Sequence, residues 1–214
     1  MSQTVTLPDL SPNLEFAVPA SRAQLERAKE ALTKGHIEVE IVPNREAARQ
    51  RVLELVPENS EVHIGLSETM RELGVTEVIE QSGRYNALRP QLQKLDRSTQ
   101  MRQIAKLATA PDYMLGSVHA VTEDGHLVAG SGTGSQLAPY VNGAGHVILV
   151  AGAQKVVANL ETGLRRLREY SYPMEDARMK HIGRPGTILA KTLIISRDSP
   201  GRTHLILVEE PIGF

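Results

Sequence analysis

Apolar residues recur along this chain in two alternating rhythms. Over 22–34, Leu25, Ala28 and Leu32 share one stripe of a 3.6-residue period, Ser21 and Gln24 stand before them in capping-box spacing, and Gly35 follows as a stop. The pattern predicts an amphipathic helix. The rhythm then changes to period 2: Ile37, Val39 and Ile41 alternate with His36, Glu38 and Glu40 until Pro43, as in a half-buried strand suited to a sheet edge. Asn44 is placed to cap a second helix with Ala48, Val52 and Leu55 on its buried stripe, and Pro57 closes that unit before a strand at 61–65.

Further on, Ser67 opens a short helix that Gly74 stops, and 75–80 reads as a short strand. The stretch 85–110 reads as helical, with a restart at Asp96 or Ser98 and with Met101, Ile104, Ala105 and Ala108 on its apolar face. Strands are expected at 112–121 and 126–129 around Asp124-Gly125, the dipeptide of a tight hairpin. A helix near 135–141, an apolar strand at 146–151 and an amphipathic helix through Val157, Leu160, Leu164 and Leu167 follow. Residues 171–190 read as irregular, and 193–196 and 205–209 as the last strands, with a Pro200-Gly201 turn between them. Strands alternating with helices of this length describe an α/β domain: one mainly parallel sheet covered by helices on both faces, with a local β-hairpin. Residues 1–20 read as a flexible N-terminal tail and 21–214 as a single domain.

Composition narrows the chemistry. The 24 Lys and Arg nearly balance the 25 Asp and Glu, so no net field advertises a nucleic acid or an acidic membrane, and a charged ligand must be held locally. The absence of cysteine removes thiolate catalysis and Cys-ligated zinc or iron–sulfur clusters from this chain, and is compatible with a reducing cytoplasm. The N-terminus lacks the basic start and apolar core of a signal peptide, and the longest apolar run, 147–151, is far shorter than the roughly 20 residues of a membrane helix. A soluble, cytoplasmic protein is expected.

Two strand-to-helix loops carry the candidate binding chemistry. The run 130–135, Gly-Ser-Gly-Thr-Gly-Ser, offers backbone N–H groups, the Thr133 and Ser135 hydroxyls and a following helix start, an arrangement suited to an anion through Gly132, Thr133, Gly134 and Ser135. It departs from the dinucleotide fingerprint at Ser135 and lacks the Lys of a phosphate-binding Walker loop, and a plain turn capped by Ser135 explains it equally. Gly65, Ser67 and Thr69 supply a second wall of the same cleft or, more simply, a helix cap. Glu123, beside the Asp124-Gly125 turn, is the candidate nucleophile or proton acceptor, against a reading in which it is merely solvated. His119 and His126 flank that turn, but two histidines without a third ligand make a poor metal site, so no metal is expected.

The ordered series of these pieces resembles a known family. G-x-S-x-T at Gly65, Ser67 and Thr69, then E-x-G at 72–74, T-E-D-G at 122–125, G-T-G at 132–134, V-I-L-V-A-G at 147–152 with Lys155, and Asp198-Ser199-Pro200 before I-L-V-E-E-P-I-G-F are similar to the LUD-domain proteins, the lactate-utilization proteins of bacteria. The resemblance implies a three-layer α/β/α fold like that of the sugar-isomerase and CoA-transferase superfamily. It also implies a link to a multi-subunit system that oxidises lactate to pyruvate, with iron–sulfur clusters on partner subunits. In related CoA transferases a Glu-Asn-Gly turn supplies a nucleophilic glutamate, which Glu123-Asp124-Gly125 resembles in type and position. Two departures stand out: the cysteine cluster that many relatives carry before Asp-Ser-Pro is missing from 181–197, and Leu66 replaces the second of the usual paired glycines.

Three functions therefore compete. The preferred one is a soluble subunit of lactate or organic-acid utilization that binds a small anion, lacks its own redox centre and works with iron–sulfur partners; the sequence names no cofactor. The second is an acyl- or CoA-transferase-like or sugar-phosphate enzyme using Glu123, and the third a non-catalytic assembly or regulatory subunit.

Overall fold

The structure is a computed structural model and describes residues 10–214. The expected tail lies outside the described residues over 1–9, whereas 10–20 are packed. Leu14–Ala17 form a 3₁₀ turn capped by the Asn13 side chain, and Phe16 on it is buried. Backbone bonds from Asn13 N–H to the Glu169 carbonyl (2.8 Å) and from Ala20 N–H to that of Ala153 (3.1 Å) tie the segment down.

The first half follows the residue pattern closely. Helix α1 (Arg22–Lys34) starts where Gln24 Oε1 accepts from Ser21 N–H at 3.0 Å, and buries Leu25, Ala28 and Leu32. After it run β1 (Glu38–Val42) and α2 (Arg45–Leu55), the latter capped by Asn44 Oδ1 accepting from Ala47 N–H at 2.9 Å. A cap of this kind stabilises a helix by about 1 kcal/mol. Strand β2 (Glu61–Ile64) leads into α3 (Glu68–Glu72), capped by Ser67 Oγ accepting from Met70 N–H.

The segment expected as a strand at 75–80 is instead helix α4 (Val75–Gln81). Val75 and Ile79, four apart, are its buried residues, so the operative period is helical, and Gly74 at φ 67° reverses the chain between α3 and α4 without ending the helical run. The expected helix 85–110 divides into a two-residue strand β3 (Asn86–Ala87), α5 (Leu88–Leu92) and α6 (Met101–Thr109). Asp96 accepts from the Ser98 and Thr99 hydroxyls in the turn between the two helices, while Gln100 takes the N-cap of α6.

The single strand expected over 112–121 is two strands in two sheets. Strand β4 (Tyr113–Gly116) joins the main sheet, the chain bends at 117–119, and β5 (Ala120–Thr122) pairs with β6 (Leu127–Ser131) as the expected antiparallel hairpin. A short helical stretch, ending in a π-turn at Pro139–Gly143, precedes β7 (His146–Gly152) and β8 (Val156–Val157). Helix α7 (Leu160–Arg166) runs through a π-turn at Leu167–Ser171 into α8 (Tyr172–His181), so 171–181 are helical rather than irregular. Pro173 lacks a backbone N–H to give a helix. Here it falls in the first turn after the π-turn, where a missing N–H is tolerated. The chain ends with β9 (Lys191–Ile195) and β10 (Thr203–Val208).

Six strands form an all-parallel sheet in the order β1-β10-β7-β4-β2-β3. Buried on both faces, its centre reads as near-continuous apolar sequence, as β7 and β10 do. One face carries Ile148, Val150, Ile206 and Val208 against α2, α3 and α4. The other carries Val147, Leu149, Leu205 and Leu207 against α1 and against Val121, Leu127 and Ile195 of a second sheet. That second sheet, β8-β5-β6-β9, enlarges the expected hairpin to four strands, and its far side packs through Ala120 and Val128 on α7 and on Leu167 of the π-turn that follows it. The architecture is the expected layered α/β/α arrangement with a mainly parallel sheet. No helix among the described residues is long and apolar enough to cross a membrane.

Candidate functional site

A cleft of about 420 Å³ opens where four adjacent parallel strands end. Thr69 follows β2, Ser117 follows β4, Lys155 follows β7, and the 209–214 segment follows β10, so neighbouring strands deliver these residues to one place.

At its floor is Lys155, 2% exposed, whose Nζ donates to Thr69 Oγ1 at 2.9 Å and Ser117 Oγ at 3.0 Å. The hydroxyls are themselves engaged: Ser117 donates to the Val150 carbonyl (2.7 Å), and Thr69 Oγ1 lies 3.3 Å from Ser117 Oγ. No carboxylate is ion-paired with the lysine among the described residues. Burial pushes Lys155 down from the ordinary lysine range to about 7; the Arg166 charge adds to that shift and Glu72 opposes it.

Arg166, fully buried behind the cleft wall, is a second cation without a carboxylate partner among the described residues. It donates to the Gln154 carbonyl (3.0 Å), the His119 carbonyl and Ser171 Oγ (3.0 Å), stands over the Tyr170 ring, and leaves Nη2 buried and unbonded. His119 lines the cleft. Its Nδ1 accepts from Gly130 N–H at 3.0 Å, which leaves the proton of the neutral ring on Nε2. Burial, helped by the charges of Lys155 and Arg166, pushes this imidazole down to about 3, so it stays neutral at physiological pH.

The 211–214 segment closes one side. Gln154 Nε2 donates to the Ile212 and Gly213 carbonyls, each at 3.0 Å, and Glu72 accepts from Gly213 N–H at 3.2 Å. Gly213, at φ 61°, sits so close that a Cβ there would collide with Thr69 Oγ1 and lie 3.3 Å from Lys155 Nζ.

The residues singled out by sequence are distributed unequally. Gly65, Ser67, Thr69, Gly132, Thr133 and Ser135 all line this cleft. Gly134 does not: its N–H is bonded to Ser131 Oγ (2.9 Å) and it stands against the Lys191 side chain. Ser135 N–H is likewise bonded to Thr133 Oγ1 (3.3 Å), so the glycine-rich loop spends two of its N–H groups on its own hydroxyls. The helical stretch after it, 137–143, is short and offers little dipole. Glu123 is not among the lining residues; it accepts from Gln24 Nε2 (3.0 Å) and pairs with Arg27 on α1. Among the described residues no third metal ligand joins His119 and His126, and His126 Nδ1 meets Ser196 Oγ at 2.8 Å.

Sequence reasoning missed Lys155, Ser117 and His119 as site residues. The available signal was positional: each lies just past the end of a strand, and Lys155 is a lone cation after the apolar run 147–152.

These features define an α/β protein with a cleft at the carboxyl ends of a parallel sheet. The LUD-domain family model matches residues 25–208, and the chain belongs to that family. The fold is similar to the crystal structure of a DUF162 family protein from Deinococcus radiodurans, with a TM-score of 0.54 at 14% identity, covering 89% of this chain and 99% of that one. No curated protein matches the sequence.

Proposed function

We propose that the cleft binds a small carboxylate-bearing anion, with Lys155 as the counter-charge at its floor, and that the protein serves lactate or related organic-acid utilization. The observation that carries this reading is the buried Lys155 ammonium, held by two hydroxyls and no carboxylate. A buried charge without a partner is costly, and an anion arriving beside it offsets that cost. Arg166, equally without an acidic partner, adds to the positive field. The cleft volume suits a small organic acid with room for part of a larger one. Without cysteine the chain cannot hold a Cys-ligated cluster, so electron transfer in such a system falls to iron–sulfur partner subunits.

Acyl transfer through Glu123 is less well supported, because that carboxylate is paired on α1 away from the cleft lining. The carboxylates that do line the cleft, Glu68 and Glu175, are each paired with an arginine, Arg71 and Arg178.

Thermal shift with lactate, pyruvate, sugar phosphates and acyl-CoAs tests the reading. At a hundredfold excess over Kd a bound acid stabilises the fold by about 2.7 kcal/mol. The expected result is a rise in Tm with lactate and pyruvate that is lost in Lys155→Met. A variant that responds as strongly as the wild type would refute the role of Lys155, and a wild type indifferent to every acid would refute the site.

A further inference from the structure

We propose that Lys155 is a carbonyl-capturing amine, whose nitrogen attacks the ketone carbon of a small 2-oxo acid in the cleft and holds it as an imine. This rests on the anion-binding reading above, which brings the acid to the lysine. The geometry around Nζ carries the inference further. A neutral amine has two protons and one lone pair, and Thr69 Oγ1 and Ser117 Oγ receive one proton each. Ser117 sends its own proton to the Val150 carbonyl, so it is fixed as an acceptor toward Nζ. The one direction left unbonded at nitrogen is that of the lone pair, on a side chain that lines the cleft. A lysine with its pKa lowered to about 7 is neutral half of the time at that pH, whereas an ordinary lysine is almost wholly protonated there. His119, neutral with its proton on Nε2, is a donor suited to polarise a carbonyl oxygen without charging the site.

The step balances without an oxidant or reductant. The lone pair forms the N–C bond while the carbonyl π pair moves to oxygen, which takes a proton. That proton comes from nitrogen and leaves a neutral carbinolamine. The nitrogen lone pair then forms the C=N bond as the hydroxyl takes a second proton from solvent and departs as water. The iminium so formed returns one proton to solvent on relaxing to the imine. Lactate has no ketone, so it binds as an anion only. The 2-oxo acid is distinguished from the 2-hydroxy acid by covalent capture.

The test is reduction with cyanoborohydride, which supplies hydride to an imine, in the presence of pyruvate or lactate, followed by peptide mass spectrometry; the Tm response to lactate is measured in parallel. The expected result is a reduced adduct on the peptide bearing Lys155 with pyruvate and none with lactate. Lys155→Arg, which keeps the cation but has no nucleophilic amine, should form none. Initial trapping should accelerate as pH rises through about 7, because the neutral amine is the reactant. If lactate raises Tm and pyruvate leaves no adduct on Lys155, the imine inference is overturned and the anion site stands. If the adduct forms while lactate shifts nothing, the capture stands and the anion reading falls. Adducts spread over exposed lysines and retained in Lys155→Arg would also overturn the inference.

Discussion

At the scale of single residues, the site places groups where their ordinary protonation is unfavourable, and this has consequences for stability. Lys155 has a folded pKa near 7, below its unfolded value, so between that pH and the ordinary lysine range the unfolded chain binds the extra proton. Stability should therefore rise with pH across that window and be lowest, as far as this group decides, below about 7. The full linkage is on the order of 5 kcal/mol. Lys155→Met removes the penalty and keeps the stem, while Ser117 retains the Val150 carbonyl as its partner. The unliganded variant should melt higher than the wild type near neutral pH, by several degrees in a chemically buffered scan, even as ligand response disappears. His119 works in the same direction at lower pH. Its folded pKa near 3 lies below the ordinary histidine value, so its contribution is intact above about 6.5 and is lost as pH falls toward 3. His119→Asn preserves an acceptor for Gly130 N–H but cannot titrate, and should flatten the acid limb of the stability curve. An unchanged acid limb would show that other groups govern it.

At the scale of elements, the cleft depends on how closely the segment after β10 can approach the ends of β2 and β7. Gly213 meets that requirement through a positive φ and the lack of a side chain. Gly213→Ala combines left-handed strain, about 1 kcal/mol, with a collision at Thr69. We expect a loss of roughly 1–3 kcal/mol in denaturant unfolding and weakened anion binding, since the segment must lift away from Lys155. Wild-type stability in this variant would mean the segment moves freely. This dependence was hidden in the sequence, where I-G-F carries no periodic signal. Helices with a full stripe and a cap, α1 and α2, were legible because local chemistry and burial agree there. Short elements without a side-chain cap were harder to read. Val75 and Ile79 fit a strand or a helix by composition, and only the packing against α2 and α3 decides. The stretch 171–181 reads as irregular because a π-turn that absorbs Pro173 leaves no mark in hydrophobic periodicity.

At the scale of the whole molecule, the alternation of strands and helices was enough to give a parallel sheet and to place ligand chemistry at strand ends, but not to show that β4 and β5 part into different sheets. The bend at 117–119 is what turns Ser117 and His119 toward Lys155, and it lies inside what reads as one apolar strand. Glu123 stands away from this cleft for the same reason: the residue after β5 in the second sheet is in a different place from the residue after β4 in the first. The loops at 65–69 and 130–135 line one cleft, while the charge at its floor comes from a lysine that lies 24 residues beyond the end of β6 and is brought there only by the sheet order. That charge links ligand binding to protons across the whole protein. An anion beside Lys155 favours the ammonium form and raises its pKa, so at pH above about 7 lactate binding should take up a proton, and at lower pH, where the lysine is already charged, it should not. Calorimetry of lactate binding in buffers of different ionisation enthalpy measures that proton directly. The expected uptake grows from near zero toward one as pH rises through about 7 and is abolished in Lys155→Arg, whose guanidinium stays charged throughout. Uptake that persists in the arginine variant would assign the proton to another group and remove Lys155 from the anion's immediate surroundings.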